Sequence, residues 1–225
     1  MSDSETLSGP PWREPGTWLE ESEPVLTARE RAAELGCPAV SVDVAATLRL
    51  IAALVGARAI VEIGTGTGVS AAALLSGASP EAMLTSIDVE AEHQRVARQT
   101  LAHSGFEHAK VRLIAGRALS VLPRLSDGAY DLLLADADRQ DYPEVASQAA
   151  RLLRPGGVAI FTSVNPKQDT VDESDRRALD ALAMALMDTQ VWSSALIPAP
   201  DGLLIACRRA PLSGSALPES GDSGT

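Results

Sequence analysis

The chain has 225 residues, enough for one domain with a sizeable core, and 45% of them are hydrophobic while only 3% are aromatic, so the core is aliphatic. A formal net charge of -11 works against any surface that must neutralise phosphates, which argues against a nucleic-acid or anionic-membrane binder. Two cysteines far apart, Cys37 and Cys207, with no C-x-x-C spacing, indicate neither a zinc site nor a disulfide framework and fit a reduced, cytoplasmic protein.

Residues 1–16, rich in Ser, Pro, Gly and Glu, read as a flexible arm; they lack the apolar segment of a secretory signal. Trp12 and Trp18 stand out there as candidate anchors on the body or on a second subunit. No apolar run approaches the roughly 18 residues of a membrane span. The folded domain is expected over 17–209. It opens with a charged helical stretch, 17–35, interrupted by Pro24 and read as a helix pair or one kinked helix, which Gly36-Cys37-Pro38 closes. Residues 42–55 carry apolar side chains at the spacing of an amphipathic helix, including Val44, Leu48, Ile51 and Val55.

The next stretch, ARAIVEIGTGTGVSAAALL, organises the rest. Residues 59–63 have the length and Ile/Val content of a buried strand, Gly64, Gly66 and Gly68 form a G-x-G-x-G turn, and a helix follows from Val69. Glycine lets backbone approach a ligand closely, and a helix N-terminus offers unpaired N–H groups, so the unit reads as a nucleotide cradle. Glu62 is a carboxylate inside the apolar strand, and Asp88 ends the next apolar run (83–87) at the spacing of a ribose-binding acid. Val69 stands where a dinucleotide fingerprint needs its third glycine, which disfavours NAD, and no Gly-Lys-Ser/Thr follows to make a P-loop. The bland alternative is an ordinary strand-to-helix turn that binds nothing.

Further along, a helix is expected over 91–103, strands over 111–115 and 130–135, a short helix from Gly116 to about Leu122, and a helix over 142–153 stopped by Arg154-Pro155-Gly156-Gly157. A fifth strand is expected over 158–161, a helix over 173–187, and a closing antiparallel hairpin over 191–197 and 203–207; residues 210–225 read as a disordered tail. Strands alternating with helices give an α/β, Rossmann-like doubly wound sheet, whose ligands sit at the carboxyl ends of the strands. The loops 64–70, 88, 116–118, 136–138 and 162–163 would share that rim. His93, His103 and His108 lack metal-ligand spacing and are expected to be exposed, and Cys207 to lie in the core.

The turn E-x-G-x-G-x-G resembles the first motif of S-adenosylmethionine-dependent methyltransferases. The segments VEIGTGTGVS, SIDVEAEH, AGRALSVL, YDLLLADADRQDY and LLRPGGVAIF together make the core resemble the class I, cation-dependent catechol and caffeoyl-CoA type O-methyltransferases, especially their small bacterial members. The resemblance implies seven strands with an antiparallel last one, a homodimer, and S-adenosylmethionine as methyl donor to a small-molecule acceptor. It also implies that Glu62, Gly64, Thr65 and Ser70 hold the methionine part, with Gly66 and Gly68 in the same turn. Asp88 would take the ribose hydroxyls, Ala118, with Gly116 and Arg117 beside it, would line the adenine, and Val40 would cover the cofactor. Asp136 matches a residue that touches metal and substrate.

Two departures bear on catalysis. The metal-binding Asp-Asn pair of the relatives is replaced by Thr162-Ser163, a poor exchange for magnesium, so no metal site is expected. Their lysine after D-A-D is Arg139, which cannot accept a proton and is expected to orient an anionic acceptor. Asp138 could join Asp136 in a metal or acid/base pair, but the simpler reading has it cap the following helix. Asp136 and Arg139 are therefore the candidate catalytic residues of a metal-independent O-methyltransferase. The alternative is a catalytically decayed protein that binds S-adenosylmethionine as a sensor or scaffold.

Overall fold

Short, largely continuous apolar runs contribute to seven strands of one sheet in a computed structural model that describes residues 20–106, 110–165, 171–199 and 202–210. In chain order the elements are α1 (Glu23–Leu35), α2 (Val42–Leu54), β1 (Ala59–Ile63), α3 (Val69–Gly77), β2 (Met83–Asp88), α4 (Ala91–His103), β3 (Val111–Ala115), α5 (Ala118–Val121), β4 (Tyr130–Ala135), α6 (Tyr142–Leu152), β5 (Leu153–Thr162), α7 (Glu173–Leu186), β6 (Trp192–Ile197) and β7 (Leu203–Arg208). The sheet order is β3-β2-β1-β4-β5-β7-β6. The pairs from β3 to β5 are parallel, and β7 runs antiparallel to both β5 and β6. Strand order reverses between β1 and β4, so a crevice opens at their carboxyl ends.

Alternation along the strands sorts the core into two layers. Ile60, Leu132, Leu134 and Ile160 pack under α2 and α3, while Val61, Leu133, Ala159 and Phe161 pack under α6 and α7. Glu62 shares the parity of Ile60 and so points into the α3 layer, where it is fully buried.

Pro24 does not interrupt a helix. It lies in the first turn of α1, where its missing N–H costs no hydrogen bond, and Gly36 ends the helix in a left-handed conformation. Residues 1–19, with Trp12 and Trp18, and 211–225 lie outside the described residues, as does His108. The Arg154-Pro155-Gly156-Gly157 stretch, expected as a breaker, is instead the start of β5: α6 passes directly into the strand, and the pairing with β4 shifts register between Tyr130 and Leu132 to admit it. Asp131 fixes the other end of β1, accepting the N–H groups of Arg58 at 2.7 Å and Ala59 at 2.9 Å and the Arg154 Nε at 2.6 Å.

Candidate functional site

The glycine turn after β1 is held from two sides. Gly64 has φ +88°, and a Cβ there would stand 1.8 Å from the carbonyl oxygen of Asp136, because the chain leaving β4 crosses directly over the turn. Gly68 caps α3 in a left-handed conformation, and a Cβ there would press within 3.1 Å of the Ala97 backbone, so its absence lets α4 close on α3. Gly66 faces open space: a Cβ would meet nothing within 4 Å.

Two cavities meet at this turn. The larger, about 370 Å³, is lined among others by Val40, Gly64, Thr65, Gly66, Ser70 and Asp88, with Asp136, Asp138 and Ser163 on its far side. The smaller, about 190 Å³, is lined by Gly116, Arg117, Ala118 and Asp141, and the two share Gly64, Asp88, Val89, Ala137 and Asp138. Together they form one cleft of small-molecule size along the carboxyl ends of β1, β2 and β4.

Asp88 stands at the junction of the two cavities. Its Oδ2 accepts the Gly66 N–H at 2.9 Å and its Oδ1 the Glu90 N–H at 2.8 Å, so the carboxylate is oriented by backbone while each oxygen keeps capacity for a further donor. His93, expected to be exposed, lies on the cavity wall with Nδ1 3.5 Å from Asp88 Oδ1. The sequence carried no periodic signal for this: the loop 88–90 sets the first turn of α4 beside the cleft. His103 is exposed as expected. Cys37 also lines the cavity, and burial, then the Asp88 charge, push its thiol up from the usual value.

Behind the wall, Glu62 accepts the Ser70 hydroxyl at 2.6 Å and the Ser86 hydroxyl at 2.5 Å, and Ser86 lies 2.7 Å from the Thr65 hydroxyl. Burial, opposed by those two hydrogen bonds and assisted by the Asp136 and Asp88 charges, pushes the Glu62 carboxyl up to about 7. Glu62 and Gly68 line neither cavity. Thr67 lines the larger one and is buried, and its hydroxyl has no partner among the described residues.

At the other end Thr162 donates its hydroxyl to Asp136 Oδ1. Ser163 turns into the left-handed region, φ 53°, and its carbonyl accepts the Arg139 Nε at 2.8 Å. The Arg139 guanidinium also pairs with Asp175 of α7 at 3.1 Å and lines neither cavity. Arg139, expected to orient an acceptor, joins the loop after β4 to the loop after β5 and to α7. Asp138 does cap the following 3-10 turn, accepting the Gln140 N–H at 3.0 Å. Tyr142, buried beneath, packs edge-on against Phe161 and bonds the carbonyls of Ala135 at 3.2 Å and Thr162 at 3.1 Å. Burial pushes its phenol well above the usual value.

Residues 20–209 match the O-methyltransferase family. A Mycolicibacterium vanbaalenii protein that carries an O-methyltransferase name is 43% identical over 194 residues, covering 84% of this chain and 86% of that one. A Mycobacteroides abscessus protein named in the same way is 42% identical, covering 84% and 90%. Among solved structures, the O-methyltransferase TomG of Streptomyces achromogenes, involved in tomaymycin synthesis and in complex with SAM, superposes with a TM-score of 0.77 at 28% identity over 86% of this chain and 93% of that one. Cofactor-bound Rv0187 from MTB gives 0.76 at 28% identity over 85% and 93%.

Proposed function

The chain belongs to the O-methyltransferase family, and from that premise we propose that its cleft binds S-adenosylmethionine and a small hydroxylated acceptor side by side. The observation that carries the reading is the pair of cavities joined at Asp88, one bounded by the glycine turn and Asp136, the other by residues 116–118. The residues present fit the cofactor. Open space lies over Gly66, Gly64 lines both cavities, and the buried Thr67 hydroxyl lacks a partner among the described residues. Asp88 would accept the ribose hydroxyls, Thr65 and Ser70 would meet the methionine end with Glu62 behind them, and Gly116, Arg117 and Ala118 would flank the adenine. Val40, whose carbonyl is held by Arg29 at 2.5 Å, would cover the cofactor.

When bound, S-adenosylmethionine would supply a methyl group on a sulfonium; the acceptor oxygen would take that methyl as the S–CH3 bond breaks and S-adenosylhomocysteine leaves, with the hydroxyl proton passing to Asp136 or to solvent. The contribution of the chain is alignment and exclusion of water. Asp136, bonded by Thr162 on the cavity wall, would accept a hydrogen bond from the acceptor hydroxyl and orient its lone pair, which makes it the catalytic residue of this reading. The magnesium site of the relatives does not fit these residues. Two neutral hydroxyls replace its carboxylate and amide, that of Thr162 already bonds Asp136, and the Arg139 guanidinium, held by the Ser163 backbone carbonyl, puts a positive charge beside the position. The reaction is thus proposed to need no divalent cation, with 17–209 as the catalytic domain.

A homodimer in the cytoplasm completes the proposal. An apolar groove of about 340 Å³ between α7 and β6, with Met184, Met187 and Leu196 exposed around it, supports self-association, and the unpaired, partly buried cysteines suit a reducing compartment. No helix among the described residues is long and apolar enough to cross a membrane.

The test has two parts. Asp88→Ala should weaken S-adenosylhomocysteine binding in calorimetry about 10- to 100-fold, the value of hydrogen bonds to a charged acceptor, and unchanged affinity would remove Asp88 from the site. A panel of phenolic and other hydroxylated acceptors, assayed with excess EDTA and then with magnesium, should show turnover that EDTA leaves intact. Binding without turnover on any acceptor would favour the sensor or scaffold that the altered metal site also suits.

A further inference from the structure

Tyr142 begins α6, is fully buried, and lines neither cavity. Its hydroxyl nevertheless reaches the carbonyl of Ala135, the last residue of β4, at 3.2 Å and that of Thr162, the last residue of β5, at 3.1 Å. We propose that Tyr142 is a positioning residue for methyl transfer, tying the ends of β4 and β5 together directly behind Asp136 and so fixing that carboxylate toward the acceptor. The proposal rests on the reading of Asp136 as the catalytic residue and deepens it.

The geometry closes a ring around Asp136. Parallel pairing of β4 with β5 reaches its last register at Ala135 and Phe161, and the residues beyond it part: the Asp136 N–H goes to the Ile63 carbonyl at 2.8 Å, on the β1 side, while Ser163 turns left-handed. At that fork the phenol shares its one hydrogen between two carbonyls, each of which has a second lone pair beyond the one its strand can use. From Thr162 the ring continues through the side chain, whose hydroxyl donates to Asp136 Oδ1; from Ala135 it continues through the peptide bond to Asp136 itself. The backbone and the carboxylate of Asp136 are thus both tied to one phenol oxygen.

The post is rigid because its ring is. Tyr142 packs edge-on against Phe161 with the centroids 5.3 Å apart, inside the core layer that α6 covers. Its bond to Ala135 also closes the base of the loop 136–141, and Arg139 of that loop bonds the Ser163 carbonyl at 2.8 Å. Two consecutive carbonyls leaving β5 are therefore held by side chains from that loop and from the helix it opens. A misplacement of about 1 Å costs roughly a hundredfold in rate, so a brace outside the cavity controls kcat without touching either ligand.

The experiment uses the full chain, the hydroxylated acceptor that the wild type methylates fastest, and a temperature well below melting. Tyr142→Phe keeps the ring and removes only the hydroxyl. It should lower kcat about tenfold, the value of one neutral hydrogen bond, while S-adenosylhomocysteine affinity by calorimetry stays within about twofold. Thr162→Val, which cuts the ring on its other side, should have the same effect, and the double variant should be no more than about twofold slower than either single one. Unchanged kcat in Tyr142→Phe would overturn the proposal. So would losses that multiply to about a hundredfold in the double variant, because the two hydroxyls would then act independently, or a parallel loss of S-adenosylhomocysteine affinity, which would mark general loosening. A wild type that methylates no acceptor would instead sink the turnover reading itself, and the proposal with it.

Discussion

Glu62 occupies a position where the alternation of β1 calls for an apolar side chain, and the folded chain responds by favouring its neutral form. Its carboxyl moves from an ordinary 4.5 to about 7, so between those values the folded chain holds a proton that the unfolded chain has released. Stability from this group is therefore greatest below about 4.5 and declines by about 3 kcal/mol as pH rises to about 7. Asp131 works in a separate window. Burial alone would raise it, but the Ala59 and Arg58 N–H groups and Arg154 outweigh that and hold it below its ordinary 3.8, so its contribution is lost only in stronger acid. Thermal melting of the ligand-free chain should accordingly show a Tm that falls between about pH 5 and about pH 7.5, with that slope absent in Glu62→Gln; a flat wild-type profile would contradict the burial argument. At this scale the sequence displayed the acids of the site well, because Glu62, Asp88 and Asp136 each break or end an apolar run. It could not show where the side chains on helices and loops turn. Arg139 leaves the cleft for Asp175, 36 residues away, and His93 enters it through a loop whose path no periodicity encodes.

Among the elements, the anchor at Asp131 decides where β1 begins. It serves two backbone donors at the start of that strand, and truncation would leave them without their acceptor at a partly buried site. Asp131→Ala should cost about 2 kcal/mol in denaturant unfolding and Asp131→Asn, which retains a carbonyl oxygen, distinctly less. Equal costs would mean that the ion pair with Arg154, rather than the pair of N–H bonds, is what matters. Most strands were legible as apolar runs of buried parallel type, and β1, β3 and β4 coincide with their expected bounds. The start of β5 was hidden because a Pro-Gly-Gly sequence signals a turn locally, while the register shift against β4 that accommodates it is a property of the pair. Pro24 misled for the same reason. A proline marks a helix start or a break with equal local force, and only the end of the preceding segment tells them apart.

On the scale of the whole molecule, β6 is the outer strand on one side of the sheet, and its sequence WSSALI contains none of the charges or prolines that usually guard such an edge. Leu196 is 61% exposed there, next to Met187 at 70%. If two chains associate through this face, Leu196→Glu combined with Met187→Glu should convert the dimer to a monomer in sedimentation without altering S-adenosylhomocysteine affinity; a dimer that survives both changes would place the contact elsewhere. The strand beside it carries another consequence. β7 comes after β6 in the chain yet lies between β5 and β6, and among the described residues β6 pairs with no other strand. β6 therefore has no place in the sheet until β7 lies between it and β5. A chain truncated before residue 203 should keep β6 open to protease while β1 to β5 are protected, so a segment of a few residues decides whether two strands or none join the sheet.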